Sequence, residues 1–335
     1  MQLSGKIAVV GVAKNCGKTT TLNYLLDKLG QGQRPGLVSV GIDGEDKDYL
    51  ISTKKPLISV GNGSLVVSSA RGFEESSARI EYVEPLGYST PMGAVYLAEV
   101  KEPGEVLLSG MRHAGDVSRA LELMAHHGAD PCFVDGAYGR VVGARSGLTD
   151  GVVVSTGAVL ATSLKEVVKR TISLTDRLTC KAVNVEWRRA LMRQALDEQQ
   201  ALLGGEDEGP QPLRMKSALV GLPRSRDLWK DAHTAIAIPG VVSNRVLEEL
   251  LAVTGPVRRC LVIGDGTHLH ADDRLLTRFR KSWDVEALES LTLMGVSYNP
   301  TSLQGHAFED VVFYDALRAQ YDDDLWIFNP QSERV

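Results

Sequence analysis

Residues 11–20 read Gly-Val-Ala-Lys-Asn-Cys-Gly-Lys-Thr-Thr. The apolar run KIAVVGV at 6–12 leads into them and TTLNYLLDKL at 20–29 follows. An unbroken apolar run of this kind is the pattern of a central parallel strand. Leu22, Leu25, Leu26 and Leu29 fall on one face of a helix, and Gly30 stands where a C-cap belongs. Strand, glycine-containing loop and helix, in that order, is the context in which a Gly…Gly-Lys-Thr string cradles phosphate. The backbone N–H groups of such a loop line a concave nest, and the helix N-terminus adds partial positive charge. Gly17 lets the backbone approach the phosphates with no Cβ in the way. Lys18 reaches the β- and γ-phosphates, and the Thr19 hydroxyl takes one magnesium position. Gly11, Lys14, Asn15, Cys16, Gly17, Lys18, Thr19 and Thr20 are therefore the expected binding residues for ATP with magnesium. The alternative is a glycine-rich turn with a chance Gly-Lys-Thr. Cys16 reads as a small residue lending its N–H, with a redox role as the second reading.

Magnesium also needs carboxylates near the γ-phosphate, and these belong at strand ends along the carboxyl edge of the sheet. Asp135 follows the apolar run PCFV and precedes Gly136; Asp43, with Glu45 just beyond, follows the strand pattern at 36–42. The predicted metal set is Thr19, Asp43, Glu45 and Asp135, and the predicted catalytic set Lys18, Asp43 and Asp135. A turn-forming Asp-Gly is the other reading of Asp135. Arg112-His113 and Arg140 follow further strand patterns, and read as surface residues before phosphate contacts. Ser155-Thr156-Gly157 stands where a guanine reader would carry Asn-Lys-x-Asp, which favours ATP over GTP.

Short apolar runs and helix-period segments alternate along the rest of the chain. This predicts an α/β fold, a parallel sheet with helices on both faces. Further strands are expected within 56–70 and at 83–87, 104–109, 131–134 and 151–155, with helices at 92–100, 116–127 and 163–171. A helix at 183–196 leads into DEQQALLGGEDEGPQP at 197–212, acidic and rich in Gly and Pro, which reads as a solvated linker. Strand patterns at 217–221, 234–238, 259–263, 291–297 and 325–328, with helices at 243–253, 272–281 and 308–321, make a second, smaller α/β unit. The predicted organisation is a nucleotide-binding domain at 1–180, a helix and linker at 181–215, and a partner- or ligand-binding domain at 216–335. In the last, Asp265-Gly-Thr-His268-Leu-His270-Ala-Asp272 could hold a metal or simply cap and turn. Asn299-Pro300 and Gly305-His306 read as a loop at a strand end. Trp283 and Trp326 read as core residues.

Length suits two domains of roughly 100–200 residues, since the chain has 335. The 37 basic and 42 acidic residues give a net charge of −5, which argues against a general nucleic-acid binder. Four widely spaced cysteines with no CxxC pair fit a reducing compartment. No apolar run approaches the roughly 20 residues that span a bilayer, and the N-terminal run is too short for a signal peptide. Cytoplasm is the expected address.

The common form of the phosphate loop has four residues between its glycines; here there are five, Val12 to Cys16. In this the loop resembles dethiobiotin synthetase and, more broadly, dimeric nucleotide-switch ATPases and GTPases such as nitrogenase iron protein. The resemblance implies an acidic residue after the second strand at the magnesium, hence Asp43. It also implies a possible homodimer, because a loop lysine of the deviant form reaches the partner's nucleotide. There that lysine stands five residues before the motif lysine. Lys14 stands four before Lys18, so a solvent-facing lysine is an equal reading. The text GVAKNCGKTTTLN, with GIDGE at 41–45, the stretch from Asp135-Gly-Ala to Ser155-Thr-Gly, Asp265-Gly-Thr-His268 and Asn299-Pro300, resembles one group in particular. These are the P-loop ATPase-like subunits of the reactivating factor for adenosylcobalamin-dependent lysine and ornithine aminomutases, which work beside a MutS-like partner. The resemblance implies a slow ATP hydrolase that drives conformational change on a protein partner and releases damaged cobalamin cofactor. A dethiobiotin synthetase-like ligase acting on a small carboxylic acid is the alternative, and a nucleotide-binding regulator without turnover is a third.

Overall fold

The structure is a computed structural model and describes residues 3–30, 32–40, 57–111, 113–136, 147–213, 229–253 and 255–332. The chain forms two compact units, one of residues 1–175 with 292–335, the other of residues 176–291. In chain order the first unit begins β1 (Lys6–Gly11), α1 (Lys18–Asp27), β2 (Gly36–Val40), β3 (Ile58–Val60), β4 (Leu65–Ser69) and α2 (Ala70–Glu74). It continues with β5 (Arg79–Thr90), β6 (Gly93–Glu102), β7 (Gly104–Val106), α3 (Ala114–His126), β8 (Cys132–Gly136), β9 (Gly151–Gly157) and α4 (Leu164–Leu178). The second holds α5 (Glu186–Glu198), β10 (Ala201–Gly204), β11 (Gln211–Leu213), β12 (Ala235–Ile238), β13 (Val242–Ser243), α6 (Asn244–Leu251), β14 (Arg259–Ile263), β15 (Leu269–His270), α7 (Asp273–Ser282) and β16 (Trp283–Ala287). The chain then returns to the first unit with β17 (Thr292–Asn299), α8 (Asp310–Arg318) and β18 (Trp326–Phe328).

The first unit is built on a nine-stranded sheet in the order β18-β17-β9-β1-β8-β2-β4-β6-β5. Every pairing from β18 to β4 is parallel; β6 and β5 add an antiparallel hairpin at one edge. Side-chain alternation sorts the helices. Ile7, Val9, Leu37, Phe133 and Val153 face α1, through Leu22 and Leu25. Val38 and Val134 face α3, through Val117, Leu121 and Met124. Val296, Tyr298 and Ile327 meet α4 and α8, through Val167, Phe313 and Leu317. Sequence order in the parallel ladder brings the carboxyl ends of β1, β8, β9, β17 and β18 to one edge of the sheet. The second unit carries a five-stranded sheet, β11-β10-β12-β14-β16. Ile236, Leu261 and Ile263 face α6 and α7, and Ala235, Ala237 and Val262 face α5. No helix among the described residues is long and apolar enough to cross a membrane.

Three expectations need correction. The expected helix at 92–100 is a strand, β6 (Gly93–Glu102), entered from a turn at 91–92. The apolar side chains of this stretch satisfy both periods, and pairing with β4 on one side and β5 on the other selects the extended form. Val95 and Leu97 then face α3, and Ala98 and Val100 the opposite core. The acidic stretch 197–212 is no linker. It holds the end of α5, β10 and most of β11, with Leu202 and Leu203 buried on opposite faces of the sheet; residues 201–205 are all buried, and the turn at 206–210 is exposed. The segment 216–335 is not one body either. β17, expected in the second unit, pairs along the whole of β9, with Ser297 opposite Ser155, and draws α8 and β18 with it. All seven residues of β9 are buried, and a buried strand left with one open edge would strand its backbone N–H and C=O groups. The expected strand at 217–221 lies outside the described residues.

Candidate functional site

At the carboxyl end of β1 the chain turns back on itself before entering α1. The Val12 N–H donates to the Ser155 carbonyl at 2.9 Å, so the loop starts as an extension of the β1–β9 ladder. A Cβ on Gly11 would lie 2.5 Å from the Cys16 sulfur and 2.9 Å from Lys18 Cγ. The loop closes over this residue, and no larger one fits. Asn15 and Gly17 both take the left-handed region, at φ 61° and 99°. Asn tolerates this conformation and Gly takes it without cost. Gly17 is the N-cap of α1 and no side chain caps that end. The first amides of the helix, with the positive end of its dipole, are thus available to an anion.

Lys18, the first residue of α1, points its ammonium across the strand ends to β8. Its Nζ donates to the Gly136 carbonyl and lies 3.4 Å from Asp135 Oδ1. β8 pairs with β1 on one side and β2 on the other, which puts Asp135 opposite Val9 and Ser39. Burial pushes the Asp135 carboxyl above the usual carboxylate range, and the Lys18 ammonium pulls it back down. With 20 % and 22 % of the two side chains at the surface, water moderates both effects.

Compared with family models, curated proteins and solved structures, the chain matches none.

The other expected site residues divide into two groups. Lys14, Asn15 and Thr20 are exposed and Thr19 partly so, all on the open side of the loop. Cys16 is 2 % exposed, and burial raises its thiol above the usual range, with Lys18 and backbone amides opposing. It is a buried spacer, and the same holds for the thiols of Cys132, Cys180 and Cys260, none in a disulfide. Asp43, Glu45, Arg112 and Arg140 lie outside the described residues. No three His, Cys, Asp or Glu side chains among the described residues cluster as a metal cage.

Beside the loop lies a small cleft, with a cavity volume of about 10 Å³, room for a single water. Cys16, Gly17, Thr20 and Thr21 form one wall. The ends of β17 and β18 form the other, through Ser297, Tyr298, Asn299, Asn329, Pro330 and Gln331. Asn299 Oδ1 accepts the Thr301 N–H at 3.0 Å, and among the described residues its amide nitrogen has no partner. Asn329 is engaged at both ends of its carboxamide, donating to Asp310 at 2.6 Å and accepting from Gln331 N–H at 3.0 Å. Sequence reading assigned the 299–300 loop elsewhere and passed over Asn329. The available signal was an Asn-Pro pair following each of two strand patterns, at 299–300 and 329–330.

The 265–272 loop in the second unit is occupied with its own geometry. The Asp265 carboxylate accepts the Thr267 N–H at 2.8 Å, and His268 Nδ1 accepts the Asp265 N–H at 3.1 Å, a reciprocal cap of a short helical turn. Asn244 and Asp272 exchange bonds of 2.5 and 2.7 Å between the starts of α6 and α7. Trp283 is buried and stacks on Phe279; Trp326, partly buried, stacks on Phe328 at 3.9 Å.

Proposed function

We propose that this chain binds a magnesium–nucleoside triphosphate on the P-loop at residues 11–20, prefers ATP, and hydrolyses it slowly to change the conformation of a protein partner. One observation carries the reading. The uncapped start of α1, the left-handed Gly17 and the Lys18 ammonium converge on one spot, and the ammonium rests on the carboxylate of Asp135. A lysine whose counter-charge among the described residues is the Asp135 carboxylate at 3.4 Å gains by exchanging it for phosphate oxygens. That exchange frees Asp135 in turn.

The residues fit magnesium. Thr19 presents a partly exposed hydroxyl on the first turn of α1 and Asp135 a carboxylate at the adjoining strand end. Magnesium takes one or two carboxylates and completes its shell with phosphates and water. Asp43 and Glu45 remain the proposed further ligands. When bound, the ion neutralises charge on the β- and γ-phosphate oxygens. The protein's own groups hold the phosphates through the loop N–H groups and Lys18. The cleft beside Gly17 is too small to enclose a base, so the base lies across its mouth, against Asn299. No carboxylate is among the cleft's described lining residues, so the donor-rich edge of guanine meets no charged acceptor, whereas the Asn299 carboxamide suits adenine.

The partner is proposed from the resemblance to aminomutase reactivating factors. In chain order a unit of 116 residues, 176–291, is inserted between α4 and β17 and has a core of its own. A ligase for a small acid would have no use for it. The test is ADP release by the full chain with ATP and magnesium, alone and with a cobalamin-dependent aminomutase and its MutS-like subunit. We expect slow release that rises on adding the partners, and about a hundredfold weaker ATP binding in Lys18→Ala. Unaltered ATP binding in that variant sinks the site. Release stimulated by small carboxylic acids and not by protein overturns the partner reading.

A further inference from the structure

Three buried hydroxyls meet beneath the loop, two of them, Thr21 and Ser297, on residues that line the cleft beside it. Thr21 comes from α1, Ser155 from β9 and Ser297 from β17, with exposures of 1 %, 0 % and 1 %. Ser297 donates to Ser155 at 3.0 Å and Ser155 donates to Thr21 at 2.9 Å. Each hydroxyl has one hydrogen, so the 2.6 Å contact between Thr21 and Ser297 is donated by Thr21. The ring is closed, and every hydrogen in it is used.

We propose that this ring is a positioning device, which sets where the end of β17, and with it Asn299, stands relative to the phosphate loop. The proposal rests on the nucleotide reading above. Ser155 faces Gly11 on one side of β9 and Ser297 on the other, and its carbonyl also takes the first loop amide. Thr21 is the fourth residue of α1, on the buried face of the turn that carries Lys18 and Thr19. Asn299 follows Ser297 by two residues, and its Cβ lies 3.8 Å from the place where a Gly17 Cβ would be. The ring therefore ties three pieces together: the phosphate-binding end of the helix, the strand under the loop, and the strand that presents the carboxamide.

Valines occupy the neighbouring positions, at Val153, Val154 and Val296, and apolar contacts there slide at little cost. Hydrogen bonds do not, because they weaken steeply with distance and angle. Buried hydroxyls are unfavourable unless fully paired, and a closed ring is fully paired. Removing one member leaves the other two each short of a partner, and they relax by shifting β17 against α1. A nucleotide held at both ends feels that shift at its base. A bare polyphosphate, held only by loop amides and Lys18, does not.

The experiment is calorimetry of the full chain with magnesium–ATP and, separately, with magnesium–tripolyphosphate. For Ser297→Ala we expect ATP to bind about tenfold more weakly while tripolyphosphate stays within about twofold. Thr21→Ser keeps its hydroxyl and should keep the wild-type ratio of the two affinities. Ser297→Cys, near in size and a weaker donor, should fall between wild type and Ser297→Ala, and serves in place of Ser297→Ala should that variant fail to fold. Equal weakening of both ligands, or no change in either, overturns the positioning role with the site intact. A wild-type chain that takes up neither ligand overturns the nucleotide reading and the proposal with it.

Discussion

Gly11 shows how much a single hydrogen in place of a methyl group decides. The loop above it is closed by Cys16 and Lys18, both nearer than a Cβ tolerates, so the nest exists only because this position is empty. Gly17 serves a different need, a backbone at φ 99° that brings the amides of α1 round to the mouth of the loop. Asp265 shows the opposite case, a residue whose pattern invites a metal and whose geometry spends it on a cap. Burial opposes its charge, but the adjacent His268 ring and the bonds donated by Thr267 outweigh burial and hold its carboxyl below the usual range. A carboxyl depressed in the folded state adds stability above its unfolded value, about 3.9, and loses it as pH falls through the folded value. Asp265→Asn should therefore melt earlier than wild type at pH 7, by about 1 kcal/mol. The gap should narrow in melts taken progressively below about pH 4. A gap that stays constant with pH would mean that the charge contributes nothing.

Elements were legible where one pattern allowed one answer. β1, α1, α3, β8, β9 and β14 follow from contiguous apolar runs or helix-period stripes, and their observed bounds sit close to the expected ones. β6 was not legible, because Val95, Leu97, Ala98 and Val100 suit a helix stripe and a two-faced strand equally. Only the edges of β4 and β5 on either side choose. β10 was hidden by composition: four apolar or small residues, Ala201–Gly204, stand beside an acidic turn. Leu203 makes the difference measurable. In a solvated linker Leu203→Ala would be neutral. In β10 the side chain is fully buried against the α6–α7 core, so the substitution should cost about 2–4 kcal/mol in urea unfolding of the intact chain.

At the scale of the molecule the organisation is an insertion. The chain leaves the first unit within the last turn of α4, builds a second sheet with helices on both faces, and comes back to complete the first sheet with β17 and β18. A division at residue 180 or 216 therefore cuts a single body. A fragment ending at 180 should aggregate, because it exposes the open edge of β9 and the apolar face of α4, which Val296, Phe313 and Leu317 cover in the whole chain. Residues 1–175 joined to 292–335 by a short flexible linker should be monodisperse and retain magnesium–ATP binding, as read by gel filtration and calorimetry. The partner-dependent rise in ADP release should vanish in the same protein.

The sequence by itself determined the local chemistry: a strand, a loop that needs glycine at 11 and 17, a helix whose first residue is Lys18, and an aspartate closing the PCFV run. All of these depend on neighbours within a few residues, so periodicity and spacing carry them. The tertiary structure alone decided which distant residues share the site. Lys18 meets Asp135 across 117 positions, and Thr21 meets Ser155 across 134 and Ser297 across 276. Strand order and register make these meetings. The energy that sets order and register is spread over whole sheet edges and apolar faces, and no short stretch of sequence contains it.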